Sequence, residues 1–546
     1  MGSLRGQVER EIPGFGKLKG NTFDGGVCQF MGIPYGELTK RWTRATLLTS
    51  WKDGFHDGTV LGPCTPVPHF GGMESGDFFT PVYQFDHYKG PFVTDERNAL
   101  VLNVVTGPMS EEKKIPVFVF IHGGSWMTGT SNLSIFDGVK LVQKSIAENK
   151  PIIVVTFNYR CGISGFLASD LIEKELKQDG FNGNGNFGLT DQALAVDWVY
   201  QNIHLFGGDA ENITLCGESA GSCSVSNQIF SNINPKFKRA MAMSGLSGTI
   251  PAYSKSYHEK QFQRLLKYYD IANDENALDN LRKIPEKDMA MATSEIQETK
   301  VPTTGNPCID GWYLDYNLNF TNFVEPPEWL DSLILGNTKD EGIMFFPCYT
   351  GLTYEKLLEH CDKFVPSSVS EAILSWYDMT ADSSMEDINW NMTRLMGDIT
   401  FIFPNYQLLE VCAKSKTTAY WYHFDEPSTI DGPLKGKSNH AIDLLYLFGN
   451  RSDMNDSQKH LVSDYMTRVI NFANGEQPWE PYLDRKAVMV FGPVANEKSK
   501  GQMIELEHDV NRNYKIFKKF REIPGEHLNE FFTALDCLTN ERKFIN

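Results

Sequence analysis

The segment ITLCGESAGS, residues 213–222, joins a short apolar run to a turn of small residues that has a serine at its centre. Ser219 stands between Gly217 and Gly221 in the pattern G-x-S-x-G. This pattern is typical of a nucleophile elbow, in which a strand turns sharply into a helix and presents a serine hydroxyl at the edge of a sheet. The segment therefore predicts a strand, a reactive serine and a helix, in that order.

Continuous apolar runs before the elbow indicate a mostly parallel sheet. IPVFVFI (115–121) and IIVVTF (152–157) lack the polar alternation of half-exposed strands, so we expect them to be buried on both faces. TDQALAVDWVYQNIHLFG (190–207) has apolar residues at helical spacing and ends at a glycine. The sequence predicts an α/β fold in a single domain, residues 1–546, with helices on both faces of the sheet. We expect helical insertions over the active site, chiefly in residues 251–325.

Composition excludes several classes of function. The chain has 546 residues, 41% of them hydrophobic, and a net charge of −18. The hydrophobic share supports a large core, and the negative charge without a basic cluster argues against nucleic-acid binding. No stretch has the length of a membrane-spanning helix, and the N-terminus lacks the apolar run of a signal peptide. We therefore expect a cytoplasmic protein with no membrane span and no disulfides.

A glycine-rich loop follows the strand upstream of the elbow. In FIHGGSWMTG (120–129) the strand ends and consecutive glycines begin. Such a loop is able to turn neighbouring backbone N–H groups toward one point, as an oxyanion hole requires. A simple hairpin-like turn is the alternative interpretation.

Residues downstream of Ser219 include candidates for a base and an acid. His440 lies in the polar loop GKSNHAID, whereas His423 lies within a strand pattern that is typical of a structural residue. Asp340 and Glu341 both follow a buried strand, in the kind of loop that carries active-site groups. The residues alone do not decide between the two acids.

One enzyme family has the same sequence blocks in the same order. The blocks are FMGIPYG, HGGSW, NYR, a long block from Asn186 to Gly221, MSGLSG, NTKDEG and SNHAIDLLYLFG. The chain resembles type-B carboxylesterases of the carboxylesterase and cholinesterase family over nearly its whole length. The resemblance implies an α/β-hydrolase fold and hydrolysis of carboxylic esters through a serine acyl-enzyme. This mechanism needs no cofactor, the sequence contains no zinc-binding motif, and we expect a small-molecule ester of hydrophobic character as the substrate.

The resemblance also assigns the site. Ser219 would be the nucleophile, His440 the base and Glu341 the acid, in the chain order of α/β-hydrolases. Ser125 stands where the family usually has a third glycine, and with Trp126 it is expected to narrow the acyl pocket. The oxyanion hole would consist of Gly123, Gly124, Ser125 and Ala220, with the last three as N–H donors, and the substrate pocket would include Trp126 and Glu218.

The chain departs from the family pattern around residue 97. Ala99 stands at the position of a family cysteine, so Cys64 lacks its usual partner. Arg97 aligns with the family's acidic partner for Arg160, the arginine of NYR. The sequence leaves open whether Glu96 or another acid pairs with Arg160.

A second glycine motif is discounted. GNGNFG (183–188) matches the G-x-G-x-x-G pattern of dinucleotide sites. The preceding segment, LIEKELKQDGFN, is charged and helix-like, whereas the motif requires a strand there. We therefore expect no dinucleotide site.

Three functions remain open from the sequence. The first is an esterase acting on an uncharged or weakly polar ester. The second is an acyltransferase, in which an alcohol or amine intercepts the acyl-enzyme, and the third is a non-catalytic binding relative, which the complete triad disfavours. Aromatic residues near 65–92, 251–325 and 346–435 suggest a hydrophobic gorge, and nothing indicates the oligomeric state.

Overall fold

A large mixed sheet runs through the protein. The computed structural model describes residues 4–68, 92–108, 114–233, 236–296, 304–494 and 500–543. The strands are β1 (Leu4–Ile12), β2 (Gly16–Phe23), β3 (Cys28–Pro34), β4 (Gly36–Glu37), β5 (Thr46–Leu47), β6 (Phe55–Asp57), β7 (Val101–Thr106), β8 (Ile115–Ile121), β9 (Ile153–Phe157), β10 (Gly208–Glu218), β11 (Arg239–Met243), β12 (Tyr253–Ser254), β13 (Cys308–Ile309), β14 (Ser332–Thr338), β15 (Thr418–Phe424), β16 (Ala487–Phe491) and β17 (Gln502–Glu505). In the described ranges, thirteen of them form one sheet in the order β1-β2-β3-β7-β9-β8-β10-β11-β14-β15-β16-β17, with β6 beside β2.

The centre of this sheet is parallel. Strands β9, β8, β10, β11, β14, β15 and β16 pair in parallel, one with the next. The outer strands β1, β2, β3 and β7 pair antiparallel at one edge, and β17 does so at the other. Parallel neighbours require long crossover connections, which helices supply here. The predicted mostly parallel α/β sheet is confirmed.

Helices occupy most of the connections. The α-helices are α1 (Val139–Ala147), α2 (Gly162–Phe166), α3 (Asp170–Gln178), α4 (Phe187–Asn202), α5 (Ala220–Phe230), α6 (Lys255–Tyr268), α7 (Ala277–Arg282), α8 (Glu286–Glu295), α9 (Tyr354–Cys361), α10 (Ser367–Trp376), α11 (Met385–Gly397), α12 (Phe403–Cys412), α13 (Leu444–Leu447), α14 (Asp456–Ala473), α15 (Tyr482–Arg485), α16 (Tyr514–Phe520) and α17 (Gly525–Lys543). A π-helical turn, Asp398–Ile402, joins α11 to α12. None of the helices found in the described ranges is both long enough and apolar enough to cross a membrane.

Side chains of the central strands enter two separate cores. Along β8, Val117 and Val119 belong to one cluster of buried residues, and Phe118 and Phe120 belong to the other. Helices α4 and α5 contribute to the first cluster, and α1 and α14 contribute to the second. Because successive side chains of a strand point to opposite faces, helices cover both faces of the sheet. This explains why the strands are apolar without alternation.

The helical insertion is present in part of the predicted segment. Helices α6, α7 and α8 pack with α2 and α3 in a third cluster of buried residues. From residue 304 to 325 the described chain contains the short strand β13 and otherwise turns and irregular structure. The amphipathic pattern therefore predicted the helices as far as Glu295, and no helix follows in residues 304–325.

The acidic partner of Arg160 is Asp191. Nε and Nη2 of Arg160 donate to the two carboxylate oxygens of Asp191, each at 2.7 Å, and Nη1 donates to the carbonyl of Thr43 at 2.8 Å. Glu96 instead accepts from Nη2 of Arg41 at 2.7 Å. The ion pair between Arg160 and Asp191 fastens the loop after β9 to α4, and both of these side chains are almost completely buried.

The environment of Cys64 is polar. Its sulfur lies 3.2 Å from the Thr130 hydroxyl and 3.2 Å from the amide nitrogen of Asn132. Ala99, at the position of the family cysteine, is fully buried. The absence of disulfides stays a prediction, which a thiol titration of the denatured, unreduced protein would test.

Asp191→Asn is expected to destabilise the protein by about 3 kcal/mol, because it leaves the buried guanidinium of Arg160 without a counter-charge. The urea midpoint, followed by circular dichroism, measures this loss. Asp431→Asn is the matched control, since Asp431 pairs with Lys435 on the surface and its removal should leave the midpoint unchanged. Equal midpoints for the two variants would contradict the structural role of Asp191.

Candidate active site

The predicted nucleophile lies on a strained turn between β10 and α5. Ser219 has φ +57° and ψ −125°, outside the regions that L-residues ordinarily occupy. Its N–H donates to the carbonyl of Met243 in β11 at 2.9 Å. A Cβ at Gly221 would lie 2.1 Å from the carbonyl oxygen of Ile121, so only glycine allows α5 to begin this close to β8. The turn leaves Ser219 partly exposed.

His440 and Glu341, predicted as base and acid, are in contact. Nδ1 of His440 lies 2.6 Å from Oε2 of Glu341. Glu341 follows β14 and His440 lies in the loop after the neighbouring strand β15, so both come from the same edge of the sheet. Because the carboxylate accepts, Nδ1 carries the proton, and Nε2 of a neutral imidazole is then a proton acceptor.

Two further groups hold the acid. Oε1 of Glu341 accepts from the Ser244 hydroxyl at 2.5 Å and from the N–H of Thr338 at 2.8 Å. Sequence reasoning missed Ser244. The available signal was its position directly after β11, because the carboxyl ends of parallel strands meet at one edge of the sheet.

Asp340, the alternative acid, holds the loop that carries the histidine. Its carboxylate accepts from the N–H of Ser438 at 2.8 Å, and its own N–H donates to the Ser438 carbonyl at 2.8 Å. The two adjacent acids therefore have different partners. Asp340 binds the backbone of the loop, and Glu341 binds the imidazole.

Glu218 lies beside the second imidazole nitrogen. Its Oε1 is 3.2 Å from Nε2 of His440. Within the described part of the chain neither atom has a hydrogen-bond partner, so this contact lacks hydrogen-bond geometry. Glu218 directly precedes Ser219, and its contact with His440 brings the imidazole to the elbow. Because Nε2 of His440 has no hydrogen-bond partner among the described residues, it remains available to a third group at the elbow.

The buried carboxylates of Glu218, Glu341 and Asp443 determine the protonation of the site. Burial lowers the pKa of His440, but Glu218 and Glu341 outweigh it and raise that pKa above the ordinary value of 6.5. Burial raises the pKa of Glu218, against the opposing charge of His440. Burial also raises the pKa of Asp443 to about 6, although the Tyr422 hydroxyl donates to its carboxylate at 2.6 Å. The imidazole is therefore more basic than a free histidine.

The loop after β8 lies against the nucleophile. A Cβ at Gly123 would be 3.0 Å from Cβ of Ser219. Burial lowers the pKa of His122 to about 4, so its ring is neutral at physiological pH. Nδ1 of His122 donates to the carbonyl of Gly123 at 2.9 Å. Since C=O and N–H of a trans peptide point in opposite directions, this bond directs the N–H of Gly124 away from His122.

A turn orients the next peptide group, between Gly124 and Ser125, through a similar constraint on its carbonyl. The carbonyl of Gly124 accepts from the N–H groups of Met127 and Thr128, each at 3.0 Å. The N–H of Ser125 therefore points away from this turn. In the part of the chain that the structure describes, the N–H groups of Gly124, Ser125 and Ala220 donate no hydrogen bond. Three unsatisfied N–H groups near the elbow match the requirement for an oxyanion hole.

Trp126 supports this loop from behind. Its indole is fully buried, stacks on Phe166 with ring centres 5.4 Å apart, and donates from Nε1 to the Ser224 hydroxyl at 2.8 Å. The structure thus shows how Trp126 supports the loop, and its expected part in the substrate pocket stays a prediction. Ser125 has φ +56° and is exposed. Of Ser125 and Trp126, it is therefore the residue that faces outward.

The described residues contain only part of the expected gorge. Residues 69–91, which belong to the predicted segment 65–92, lie outside the described residues. From the segment 346–435, Phe401 places its ring centre 4.9 Å from that of His440. Phe401 belongs to the π-helical turn, so that turn supplies one wall of the site.

Two features elsewhere resemble ligand sites. The glycine motif at 183–188 follows helix α3, which confirms that it lacks the strand of a dinucleotide site. In the described ranges, Glu505, Glu507 and His508 bring one ligand atom each within 4.8 Å of one another. They lie at and after β17, the far edge of the sheet from β10.

Known proteins match this sequence and this fold. The Carboxylesterase family profile matches residues 7–520. Lipase 3 of Yarrowia lipolytica is 29% identical over 491 residues, which cover 86% of this chain and 89% of the lipase. The para-nitrobenzyl esterase of Bacillus subtilis is 27% identical over 487 residues, covering 85% and 89%. The structure of Geobacillus stearothermophilus carboxylesterase EST55 aligns with a TM-score of 0.72 at 25% identity, over 92% of this chain and 99% of that one. The chain therefore belongs to the Carboxylesterase family, has the α/β-hydrolase fold and is a carboxylic ester hydrolase.

Proposed function

We propose that the protein hydrolyses uncharged or weakly polar esters through a Ser219–His440–Glu341 triad and an acyl-enzyme on Ser219. One observation carries the proposal: Nδ1 of His440 is fixed by Glu341 at 2.6 Å, while Nε2 is unsatisfied beside the elbow. The lipase and the para-nitrobenzyl esterase among the relatives support an ester of this kind as the substrate.

In the first half-reaction, Nε2 of His440 takes the proton of Ser219 Oγ while Oγ attacks the ester carbonyl carbon. Glu341 keeps the proton on Nδ1 and stabilises the imidazolium that forms. The N–H groups of Gly124, Ser125 and Ala220 bind the oxyanion of the tetrahedral intermediate. As the intermediate collapses, the imidazolium gives its proton to the leaving alcohol, and the acyl group remains on Ser219.

In the second half-reaction, water replaces the alcohol. His440 takes a proton from the water as the water oxygen attacks the acyl carbon, and then returns it to Ser219 Oγ when the carboxylic acid leaves. The neighbouring carboxylates raise the pKa of His440 and so strengthen it as the base in both steps. Partial exposure of Ser219 allows water to enter.

Ser219→Ala is expected to lower kcat for a simple ester by several orders of magnitude, because no other hydroxyl takes the place of the nucleophile. Circular dichroism should show an unchanged fold. A serine-directed organophosphonate should label the wild type once, at Ser219, as seen by mass spectrometry of peptides. Activity within about tenfold of the wild type would refute the assignment.

Glu341→Gln should lower kcat by on the order of 10³-fold, because an amide does not stabilise the imidazolium and favours the wrong tautomer. Asp340→Asn is the matched control, since its amide oxygen still accepts from the N–H of Ser438. It should retain kcat within about tenfold. Steady-state kinetics on one ester compare the two variants, and the reverse ranking would move the acid to Asp340.

Glu218→Gln is expected to shift the acidic limb of the kcat/KM profile to lower pH, by about 1 pH unit. The activity requires neutral His440, so it rises as pH passes through the pKa of that group. Removing the Glu218 charge removes one cause that raises this pKa. Glu211→Gln, an exposed acid at the other end of β10, should leave the profile unchanged. A limb that stays in place or moves to higher pH would contradict the role of Glu218.

A further inference from the structure

Ser125 lies in the middle of the loop that supplies the proposed oxyanion donors. This loop is close to the nucleophile, since a Cβ at Gly123 would be 3.0 Å from Cβ of Ser219. The N–H of Ser125 donates no hydrogen bond within the described part of the chain. Ser125 is exposed, whereas the neighbouring Trp126 is fully buried. The side chain of Ser125 is therefore on the open side of the loop.

The backbone at Ser125 has a conformation that suits glycine better than serine. Ser125 and Trp126 both have φ +56°. Residues other than glycine seldom have positive φ, and those that do are most often Asn, Asp or His. Glycine adopts this conformation without steric cost, and the family usually has glycine at this position. A serine here keeps its side chain at a cost in stability, which points to a use for that side chain.

The hydroxyl of Ser125 has no partner in the described ranges. Its Oγ forms no hydrogen bond there with a side chain or with the backbone. By contrast, the hydroxyls of Ser222 and Ser224 on α5 donate to the carbonyls of Gly245 and Ala220, at 2.5 and 2.8 Å. A serine hydroxyl has one proton to donate and rotates to suit its acceptor. The Ser125 hydroxyl is thus free to donate to a bound substrate.

Contacts on both sides of the peptide bond after Ser125 hold the loop in place. The carbonyl of Trp126 accepts from the N–H of Gly162 at 2.6 Å, and the indole donates to Ser224 at 2.8 Å. A Cβ at Gly305 would lie 3.0 Å from the carbonyl oxygen of Ser125. A donor on so fixed a backbone needs little reorganisation when charge develops on the substrate, which is what makes such donors effective.

We propose that the Ser125 hydroxyl is a further hydrogen-bond donor of the oxyanion hole, an inference that rests on the function proposed above. In serine, the χ1 torsion alone sets Oγ relative to the backbone nitrogen, and in a gauche rotamer the two atoms lie on the same side. An oxyanion bound by the N–H of Ser125 is then within reach of the hydroxyl of the same residue.

This hydrogen bond acts on the transition state. As Oγ of Ser219 attacks, the carbonyl oxygen of the ester becomes negatively charged. Hydrogen bonds to an ionised acceptor are roughly twice as strong as those between neutral groups. The hydroxyl of Ser125 therefore stabilises the tetrahedral intermediate more than the bound ester, which raises kcat and has little effect on KM.

Ser125→Ala tests this role, because it keeps Cβ and removes only the hydroxyl. We expect kcat to fall by at least about tenfold for the para-nitrophenyl esters of acetate, butanoate and hexanoate. The factor should be similar for the three esters, since all of them form the same oxyanion. A side chain that only narrowed the acyl pocket would instead change the preference among them. Ser375→Ala is the control and should keep kcat unchanged, because Ser375 is exposed on α10 and its hydroxyl donates within that helix.

A trifluoromethyl ketone gives a second readout that does not depend on turnover. Oγ of Ser219 adds to the ketone carbon and its proton passes to His440, so the adduct has the oxyanion of the tetrahedral intermediate. The inhibition constant of this ketone for Ser125→Ala should rise by the factor by which kcat/KM falls. An unchanged inhibition constant would contradict a hydrogen bond to the oxyanion.

Ser125→Gly separates activity from stability. Glycine relieves the positive φ, so the melting temperature should rise, while kcat falls as far as in Ser125→Ala. The proposal is overturned if kcat of Ser125→Ala stays within about twofold of the wild type, or if both variants lose activity together with a lower melting temperature.

Ser219→Ala in the same assay distinguishes this inference from the proposed function. Activity retained in Ser219→Ala would refute both. An inactive Ser219→Ala beside an unaffected Ser125→Ala would refute the role of the Ser125 hydroxyl alone.

Discussion

The close backbone contact between the start of α5 and the end of β8 is the constraint on which the site depends. With 2.1 Å between a Cβ at Gly221 and the carbonyl of Ile121, this packing admits only glycine. It fixes the elbow against the strand from which the oxyanion loop begins. It also holds Ser219 at a positive φ, a conformation that costs of order 1–3 kcal/mol and persists only when its surroundings impose it. The proposed nucleophile and the proposed oxyanion donors are therefore positioned by the backbone, before any side chain contributes.

Much of this arrangement was predictable because it is local. The elbow, the glycine loop and the acid loop each follow a buried strand directly, and parallel strands bring such loops to one edge. The contact between His440 and Glu341 joins residues 99 positions apart, so periodicity does not reveal it and the resemblance had to supply it. Ser244 was missed although its position after β11 was a usable signal.

Other features required the tertiary structure. Asp191 reaches Arg160 because of the way α4 packs beside the loop after β9, and no local pattern encodes that packing. The orientation of Trp126 depends on positive φ at both Ser125 and Trp126, which turns the indole inward and leaves the serine outside. The pattern HGGSW contains both residues but does not indicate which one faces the substrate.

The π-helical turn between α11 and α12 has a consequence for how such a site arises. A π turn contains one residue more than an α turn, and it occurs mostly as a single turn within an α-helix. Each added residue rotates the remainder of the helix by about 100° around its axis. Here that rotation accompanies two different tasks: α11 packs against the acid loop, while Phe401 faces the imidazole. When one end of a helix is fixed, one additional residue is thus sufficient to turn a different side chain toward a reaction centre at the other end.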